Sequence, residues 1–150
     1  MKIILAISLL ACAGVALQDR DITAMQPAQI QWQRPDASAG MPAGMMVYHV
    51  SGEGQQGPFV DLIKFPDGTR VPLHTHSANH VVTVLSGSLT IARDGHEKGT
   101  TVEAGGFFKI PAGTPHVTSA IRETVISVSG DKPNDITFAE GRTDKKTENK

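Results

Sequence analysis

Short runs of β-branched and aromatic residues, separated by turn residues, fill the chain from residue 46 to about residue 140. Apolar and polar positions alternate within these runs, as they do in strands that bury one face of a sheet. The pattern predicts ten strands, at 46–50, 59–65, 71–76, 80–85, 88–92, 100–103, 107–110, 116–120, 124–129 and 136–139. Turn sequences such as Pro66-Asp67-Gly68 lie between them. We therefore expect an all-β fold, a single antiparallel barrel over residues 46–140.

The first residues have a different character. Lys2 precedes an apolar run, and small residues follow at 11–13, which is typical of a secretory signal peptide over residues 1–16 with cleavage near 13–17. The run is too short to span a bilayer. The protein is thus expected to be secreted or periplasmic. Two alternatives are a lipoprotein anchor on Cys12, which would attach the protein to a membrane, and a buried N-terminal helix.

Two further segments flank the predicted barrel. Residues 17–45 are rich in proline and glycine and show little periodicity, which predicts an extended N-terminal arm. Trp32 is the expected anchor of that arm, as a ring covering a barrel edge or a subunit contact rather than a ligand. Residues 141–150 lack apolar side chains and predict a disordered tail.

Composition excludes several classes of function. The chain has 14 basic and 15 acidic residues and a net charge of −1, which gives no electrostatic reason to expect nucleic acid as a partner. Cys12 is the one cysteine and falls within the predicted signal peptide. Disulfides and cysteine-zinc sites are therefore excluded from the mature domain, and any metal site must use nitrogen and oxygen ligands.

Three of the six histidines lie within the seven residues HTHSANH, His74 to His80. Residues two apart in a strand point to the same face, so His74 and His76 are expected to direct both imidazoles into the barrel. His80 begins the next predicted strand, and neighbouring strands lie about 5 Å apart, so its ring can approach the same point. The stretch therefore predicts a metal site rather than a polar surface turn.

Two glycine and histidine spacings resemble the two signature motifs of the cupin superfamily. Gly68, five residues, His74-Thr75-His76, three residues, His80, six residues and Gly87 are similar to the first motif. Gly105, five residues, Pro111-Ala112-Gly113, two residues and His116 are similar to the second. The resemblance implies a jelly-roll barrel and a small-molecule ligand or substrate. It also implies one divalent transition metal, held by His74, His76, His80 and His116.

Two positions depart from the family pattern. The first motif usually has glutamate where this chain has His80, and the second usually ends in asparagine where this chain has Ala120. Imidazole is a good ligand for zinc, iron, nickel and copper, whereas magnesium and calcium prefer oxygen ligands. The expected metal is iron, zinc, nickel, manganese or copper. His80 is expected either to complete the metal site or to act as a neighbouring base that hydrogen-bonds instead.

A histidine at position 80 changes the chemistry of the predicted centre. Four neutral imidazoles leave a divalent ion with a charge near +2, which favours anionic or chelating oxygen ligands. An octahedral metal would keep two open positions, whereas tetrahedral zinc would be closed. The leading hypothesis is a metal-dependent enzyme, of dioxygenase or related type, acting on a small oxygen-rich molecule. The alternatives are a non-catalytic periplasmic binding module with a closed four-histidine site, and a metal-free structural or sugar-binding cupin. A homodimer is a further expectation that the sequence leaves open.

Alternation also indicates the walls of the site. Val82 and Val84 share the face of His80, and either the pair Phe108 and Ile110 or the pair Phe107 and Lys109 joins them. Five polar residues are candidate helpers, although a solvent-facing or salt-linked surface position is expected for each: Tyr48, Asp61, Lys64, Arg70 and Lys109. Two histidines outside the motifs are expected to have structural positions, His49 on an edge or in the core and His96 exposed in a hairpin turn.

Overall fold

The structure is a computed structural model that describes residues 22–35, 40–52, 56–94, 96 and 98–139. The predicted signal peptide with Cys12 and the predicted tail at 141–150 lie outside the described residues, as do residues 17–21 and 36–39 of the predicted arm. Within the described part of the chain, no helix is long and apolar enough to cross a membrane.

The ten predicted strands are confirmed, and no end differs from its prediction by more than one residue. The alternation of buried and exposed side chains defines them because one face of each strand packs inward. They are β1 (Met46–Ser51), β2 (Phe59–Phe65), β3 (Arg70–Thr75), β4 (His80–Ser86), β5 (Ser88–Arg93), β6 (Thr100–Glu103), β7 (Phe107–Ile110), β8 (His116–Ala120), β9 (Thr124–Gly130) and β10 (Thr137–Phe138). Among the described residues, the helical content is one 3-10 turn, Pro27–Gln29.

Two five-stranded antiparallel sheets form the barrel, with strand orders β1-β2-β9-β4-β7 and β10-β3-β8-β5-β6. Three of the pairings are nested, since β2 pairs with β9, β3 with β8, and β4 with β7. This nesting places the first and second halves of the chain side by side in both sheets, which is the jelly-roll arrangement. The predicted jelly roll is therefore confirmed.

The inner faces of the two sheets form one apolar core. Val82 and Val84 of β4 pack beside Ile126 and Val128 of β9, and Leu89 of β5 lies opposite in the other sheet. All five side chains are at most 4% exposed. This core fills one part of the barrel and leaves the remainder open, which sets the position of the site described below.

The described part of the arm runs along the edge of the first sheet. Gln33 forms an isolated antiparallel bridge with Val47, through backbone hydrogen bonds of 2.9 and 2.8 Å. Trp32 is half-buried, and Nζ of Lys64 lies 4.9 Å from the centroid of its ring. Trp32 therefore contacts the barrel beside its edge strand, as expected for a structural anchor.

Candidate functional site

Four histidines from three strands or their ends meet on the inner wall of the barrel. His74, the last residue but one of β3, is in direct register with His116, the first residue of β8. His76 follows β3, and His80 begins β4 on the opposite sheet. We call His74, His76, His80 and His116 the histidine cluster. The period of two in a strand brings His74 and His76 together, as predicted, and the register of β3 with β8 adds His116, which the resemblance implied. His80 reaches the cluster from β4 in the other sheet, and the expectation that it approaches from a strand beside β3 is wrong.

The rings of the cluster are in contact with one another. The ring centroid of His74 lies 4.2 Å from that of His116 and 4.8 Å from that of His76. The ring of His80 lies 4.2 Å from that of His76. Within the described residues, one group of ligand atoms lies within 4.8 Å of one another, and it comprises His74, His76 and His116. These three imidazoles could hold a metal ion, and His80 lies beside them.

Backbone carbonyls orient three of the four rings. Nδ1 of His74 donates to the carbonyl oxygen of Pro72 at 2.7 Å, and Nδ1 of His116 donates to that of Thr114 at 2.8 Å. Nδ1 of His76 donates to the carbonyl oxygen of Asp135. The proton on Nδ1 leaves the lone pair on Nε2 in each neutral ring, which is the form that binds a metal.

Burial keeps the cluster neutral. Burial and the neighbouring imidazole of His116 lower the pKa of His74 from 6.5 to about 3. Burial and the imidazole of His76 lower the pKa of His80 to about 4. Burial also lowers the pKa of His76 and of His116, although the carbonyl that accepts each Nδ1 proton opposes this effect. All four rings are therefore neutral and able to donate a lone pair near pH 7.

His80 differs from the other three rings in its hydrogen bonding. Its side chain is 4% exposed, and its Nε2 atom is buried with no hydrogen-bond partner. The ring makes an edge contact with Phe59 at a centroid distance of 5.5 Å. A buried polar atom with no partner costs about 1–3 kcal/mol. The protein groups around this nitrogen do not offset that cost, which a ligand bound to its lone pair would do.

A cavity of about 470 Å³ opens beside the cluster. Its walls are mainly aliphatic and include Val82, Val128, Ile63 and Ile110. Of the two alternatives for the inner face of β7, the structure has the pair Phe108 and Ile110: Ile110 lines the cavity and Phe108 packs against the core. Phe107, which is 61% exposed, does not line the cavity. Val84 is buried in the core and does not line the cavity. Such a pocket suits a small molecule held by a few polar groups.

A second polar group lines the same cavity. The carboxylate of Asp61 on β2 is fully buried and accepts hydrogen bonds from Nδ1 of His49 and Nδ2 of Asn134, both at 2.7 Å. The surface position expected for Asp61 is therefore wrong, because Asp61 shares the inward face of β2 with Phe59 and Phe65. We call His49 and Asp61 the His–Asp pair.

The other candidate helpers and histidines follow the sequence-based expectation more closely. Tyr48, Lys64, Arg70 and Lys109 do not line the cavity. His96 is exposed in its turn, as expected. His49 is on edge strand β1, as expected, but its part in the cavity wall was missed. The available signal was an acidic residue at an apolar inward position of β2, which requires a partner.

The loop between β9 and β10 joins the two polar groups. Asn134 donates to Asp61, and the next residue, Asp135, accepts the Nδ1 proton of His76 through its carbonyl oxygen. The Asp135 carboxylate also accepts the backbone N–H of Ser77 at 2.8 Å. Adjacent residues of one loop thus contact both the histidine cluster and the His–Asp pair.

Comparison with known proteins agrees with this fold. The family model described as "Cupin domain" matches residues 61–127. No match was found among curated proteins. The chain is similar to the DMSP lyase DddQ from Ruegeria pomeroyi, with 22% identity, a TM-score of 0.62 and coverage of 76% of this chain and 64% of that chain. It is also similar to the polyketide cyclase RemF from Streptomyces resistomycificus, with 15% identity, a TM-score of 0.62 and coverage of 80% of this chain and 89% of that chain. An RmlC-like cupin from Shewanella frigidimarina is 16% identical, with a TM-score of 0.57 and coverage of 75% of this chain and 92% of that chain.

Proposed function

We propose that this chain, which belongs to the cupin superfamily, is a metal-dependent enzyme that acts on a small, oxygen-rich molecule in the barrel cavity. The observation that carries the proposal is a cluster of neutral, pre-oriented imidazoles at the wall of a cavity of about 470 Å³. Two of the similar solved structures are described as a lyase and a cyclase, which supports an enzymatic use of this fold.

The donor set fits a divalent transition metal. Nε2 of His74, His76 and His116 each carries a lone pair, because Nδ1 of each ring donates to a carbonyl oxygen. The buried Nε2 of His80 has no partner in the protein and would gain one by completing the set. We propose these four histidines as ligands and iron, zinc, nickel, manganese or copper as the metal.

A metal held only by neutral imidazoles would act as a Lewis acid towards carboxylate, carbonyl or hydroxyl oxygens of the bound molecule. The protein's own part is to bind and orient that molecule. The aliphatic walls around Val82 and Ile110 would hold its apolar portion and exclude water from the cluster. Oxidative chemistry of the dioxygenase type is one reaction class that such a centre supports, provided that coordination positions stay open.

The second candidate function is metal or ligand binding without turnover. The unsatisfied nitrogen of His80 favours it, because four imidazoles around zinc would fill a tetrahedral shell and leave no position for substrate. The two functions therefore differ in the number of open positions on the metal rather than in the identity of its protein ligands.

Purification of the protein with its native metal tests the proposal. Elemental analysis should give about one transition-metal ion per chain, and His74→Ala should abolish that stoichiometry. Oxygen consumption is then measured with small diketones, phenols and thiols. Binding of less than stoichiometric metal, with none gained on addition, would overturn the proposed metal centre. Stoichiometric zinc with no turnover would favour the binding module.

We also propose that the protein acts outside the cytoplasm, after removal of residues 1–16. The support is the sequence pattern of that segment. Expression with a C-terminal tag, followed by fractionation and N-terminal sequencing, should give a periplasmic or secreted product beginning near residues 13–17. A Cys12→Ser variant should show the same distribution unless lipid on Cys12 anchors the protein to a membrane.

A further inference from the structure

The His–Asp pair has the composition of a proton-transfer group. Asp61 is fully buried, and its two carboxylate oxygens accept hydrogen bonds from different side chains, His49 and Asn134. A buried carboxylate that accepts the Nδ1 proton of an imidazole fixes the ring and its tautomer and stabilises the protonated ring. Nε2 of His49 is then the nitrogen that carries the lone pair.

The position of His49 allows it to meet a bound molecule. Its side chain is 45% exposed and lines the same cavity as the histidine cluster. In the first sheet, His49 of β1 lies directly opposite Asp61 of β2, which lies opposite Val128 of β9. His80 lies opposite Gly130, two residues further along β9, so it belongs to the next row of cross-strand partners on the same face. The pair and the cluster therefore face one cavity from neighbouring rows, with aliphatic wall between them.

The cluster itself is poorly suited to accept a proton. Burial lowers the pKa of its rings, and the proposed metal would occupy their lone pairs. Asp135 is engaged with the backbone of Ser77, and Arg34 is permanently protonated. Among the described residues, these two and Asp61 are the other charged groups that line the cavity. Outside the histidine cluster, His49 is thus the residue of the cavity wall with a nitrogen lone pair, on Nε2, that can accept a proton.

Resting on the proposed function, we propose that His49, held by Asp61, accepts the proton of a hydroxyl group on the bound molecule. That molecule is a small acid whose carboxylate or carbonyl end points to the histidine cluster and whose hydroxyl lies at the other end. Phenolic acids have this chemistry, and their rings suit the aliphatic walls. In the step, the O–H bond breaks, its electron pair stays on oxygen, and Nε2 of His49 forms the new N–H bond. No oxidant or reductant is needed.

A chromogenic phenolic acid tests this inference directly. The probe is 4-hydroxy-3-nitrobenzoate, whose phenolate absorbs visible light. The protein is loaded with Ni²⁺, which absorbs only weakly in the visible range and in an octahedral shell keeps positions open beside the histidine ligands. At a pH below the ordinary pKa of the probe's phenol, the ratio of phenolate to phenol should rise about tenfold on binding to the wild-type protein, as one charge-assisted hydrogen bond would produce. His49→Gln should abolish most of this rise, since glutamine keeps a donor for Asp61 but accepts no proton.

Two matched controls separate proton acceptance from binding. His96→Gln changes an exposed histidine that does not line the cavity, so it should retain the full rise. 3-Nitrobenzoate, which lacks the hydroxyl, should bind His49→Gln and wild-type protein equally. Asp61→Asn should also lose the rise, which a merely structural role of Asp61 would not require.

The results distinguish this inference from the proposed function. Equal phenolate fractions in the wild-type protein and His49→Gln, with nickel and 3-nitrobenzoate bound normally, would overturn the role of His49 and leave the metal centre standing. Failure of both nitrobenzoates to bind nickel-loaded protein would overturn the ligand class. Failure to bind any of the five proposed metals would overturn the proposed function itself.

Discussion

Replacement of His80 by phenylalanine should have opposite effects on the metal-free and metal-loaded protein. Nε2 of His80 is buried without a partner, and the side chain is 4% exposed. Such an atom costs about 1–3 kcal/mol, and phenylalanine removes it while keeping a planar ring against Phe59. We expect the free energy of unfolding of the metal-free protein to rise by about 1–2 kcal/mol.

Metal reverses the sign of the effect. An ion that binds only the native state, at a concentration about 1,000 times its Kd, stabilises the protein by about 4.1 kcal/mol. If loss of the His80 nitrogen weakens binding about a hundredfold, the same concentration is only about ten times Kd, and the stabilisation falls to about 1.4 kcal/mol. The variant should therefore lose about 2.7 kcal/mol of metal-induced stability.

Urea denaturation measures both quantities in one series. Wild-type protein, His80→Phe and the exposed control His96→Phe are unfolded in the presence of a chelator and again with excess Zn²⁺. The control should match the wild type in both series. A His80→Phe variant that is less stable without metal, or that keeps the full stabilisation by zinc, would refute the assignment of His80 as a metal ligand whose Nε2 has no partner in the metal-free protein.

Three further outcomes follow from the geometry. Without metal, stability should be constant above pH 6.5 and fall as the pH drops towards 4. In the folded protein the pKa is about 3 for His74 and about 4 for His80, so on acidification protons bind these side chains in the unfolded chain first. The free energy of unfolding should therefore fall by on the order of 2 kcal/mol per histidine by pH 5. Chemical denaturation across pH measures this, and stability that rises on acidification contradicts it. Gly87→Ala should cost at least about 3 kcal/mol, because φ is +78° and the added Cβ would lie 2.4 Å from the carbonyl oxygen of Glu123. Gly113→Ala, with φ +71° and no atom within 4 Å of the added Cβ, should cost only about 1 kcal/mol. Thermal melts of both variants compare the two costs, and equal costs would show that the contact of Cβ with the Glu123 carbonyl is unimportant. Asn134→Ala should lower stability by about 2 kcal/mol by leaving one oxygen of the buried Asp61 without its donor, and an unchanged melting temperature would contradict that.

The strands and the common face of His74 and His76 were predictable from the sequence because both depend on local periodicity, whereas His116 was assigned to the cluster through the resemblance to the cupin motifs. Alternating burial sets strand limits, and a period of two puts His74 and His76 on one face. The jelly-roll order came from the resemblance to a family, since periodicity does not specify which strands pair.

The His–Asp pair was missed for a physical reason. Contact between His49 and Asp61 depends on the register of β1 against β2, which sequence separation does not reveal. The donor from Asn134 depends on the path of an irregular loop. One local signal was present, because Asp61 interrupts an otherwise apolar inward row, and such a position is inconsistent with a surface role.

The carbonyl acceptors of the cluster have a consequence for the way this protein can diverge. The hydrogen bonds that orient His74, His76 and His116 end on main-chain oxygens of Pro72, Asp135 and Thr114. A point substitution changes a side chain but leaves its carbonyl in place, so sequence drift at these three acceptor positions does not delete an orienting bond. The ring tautomers are therefore inherited with the backbone path, and the cavity wall can vary between descendants while the nitrogens keep their direction.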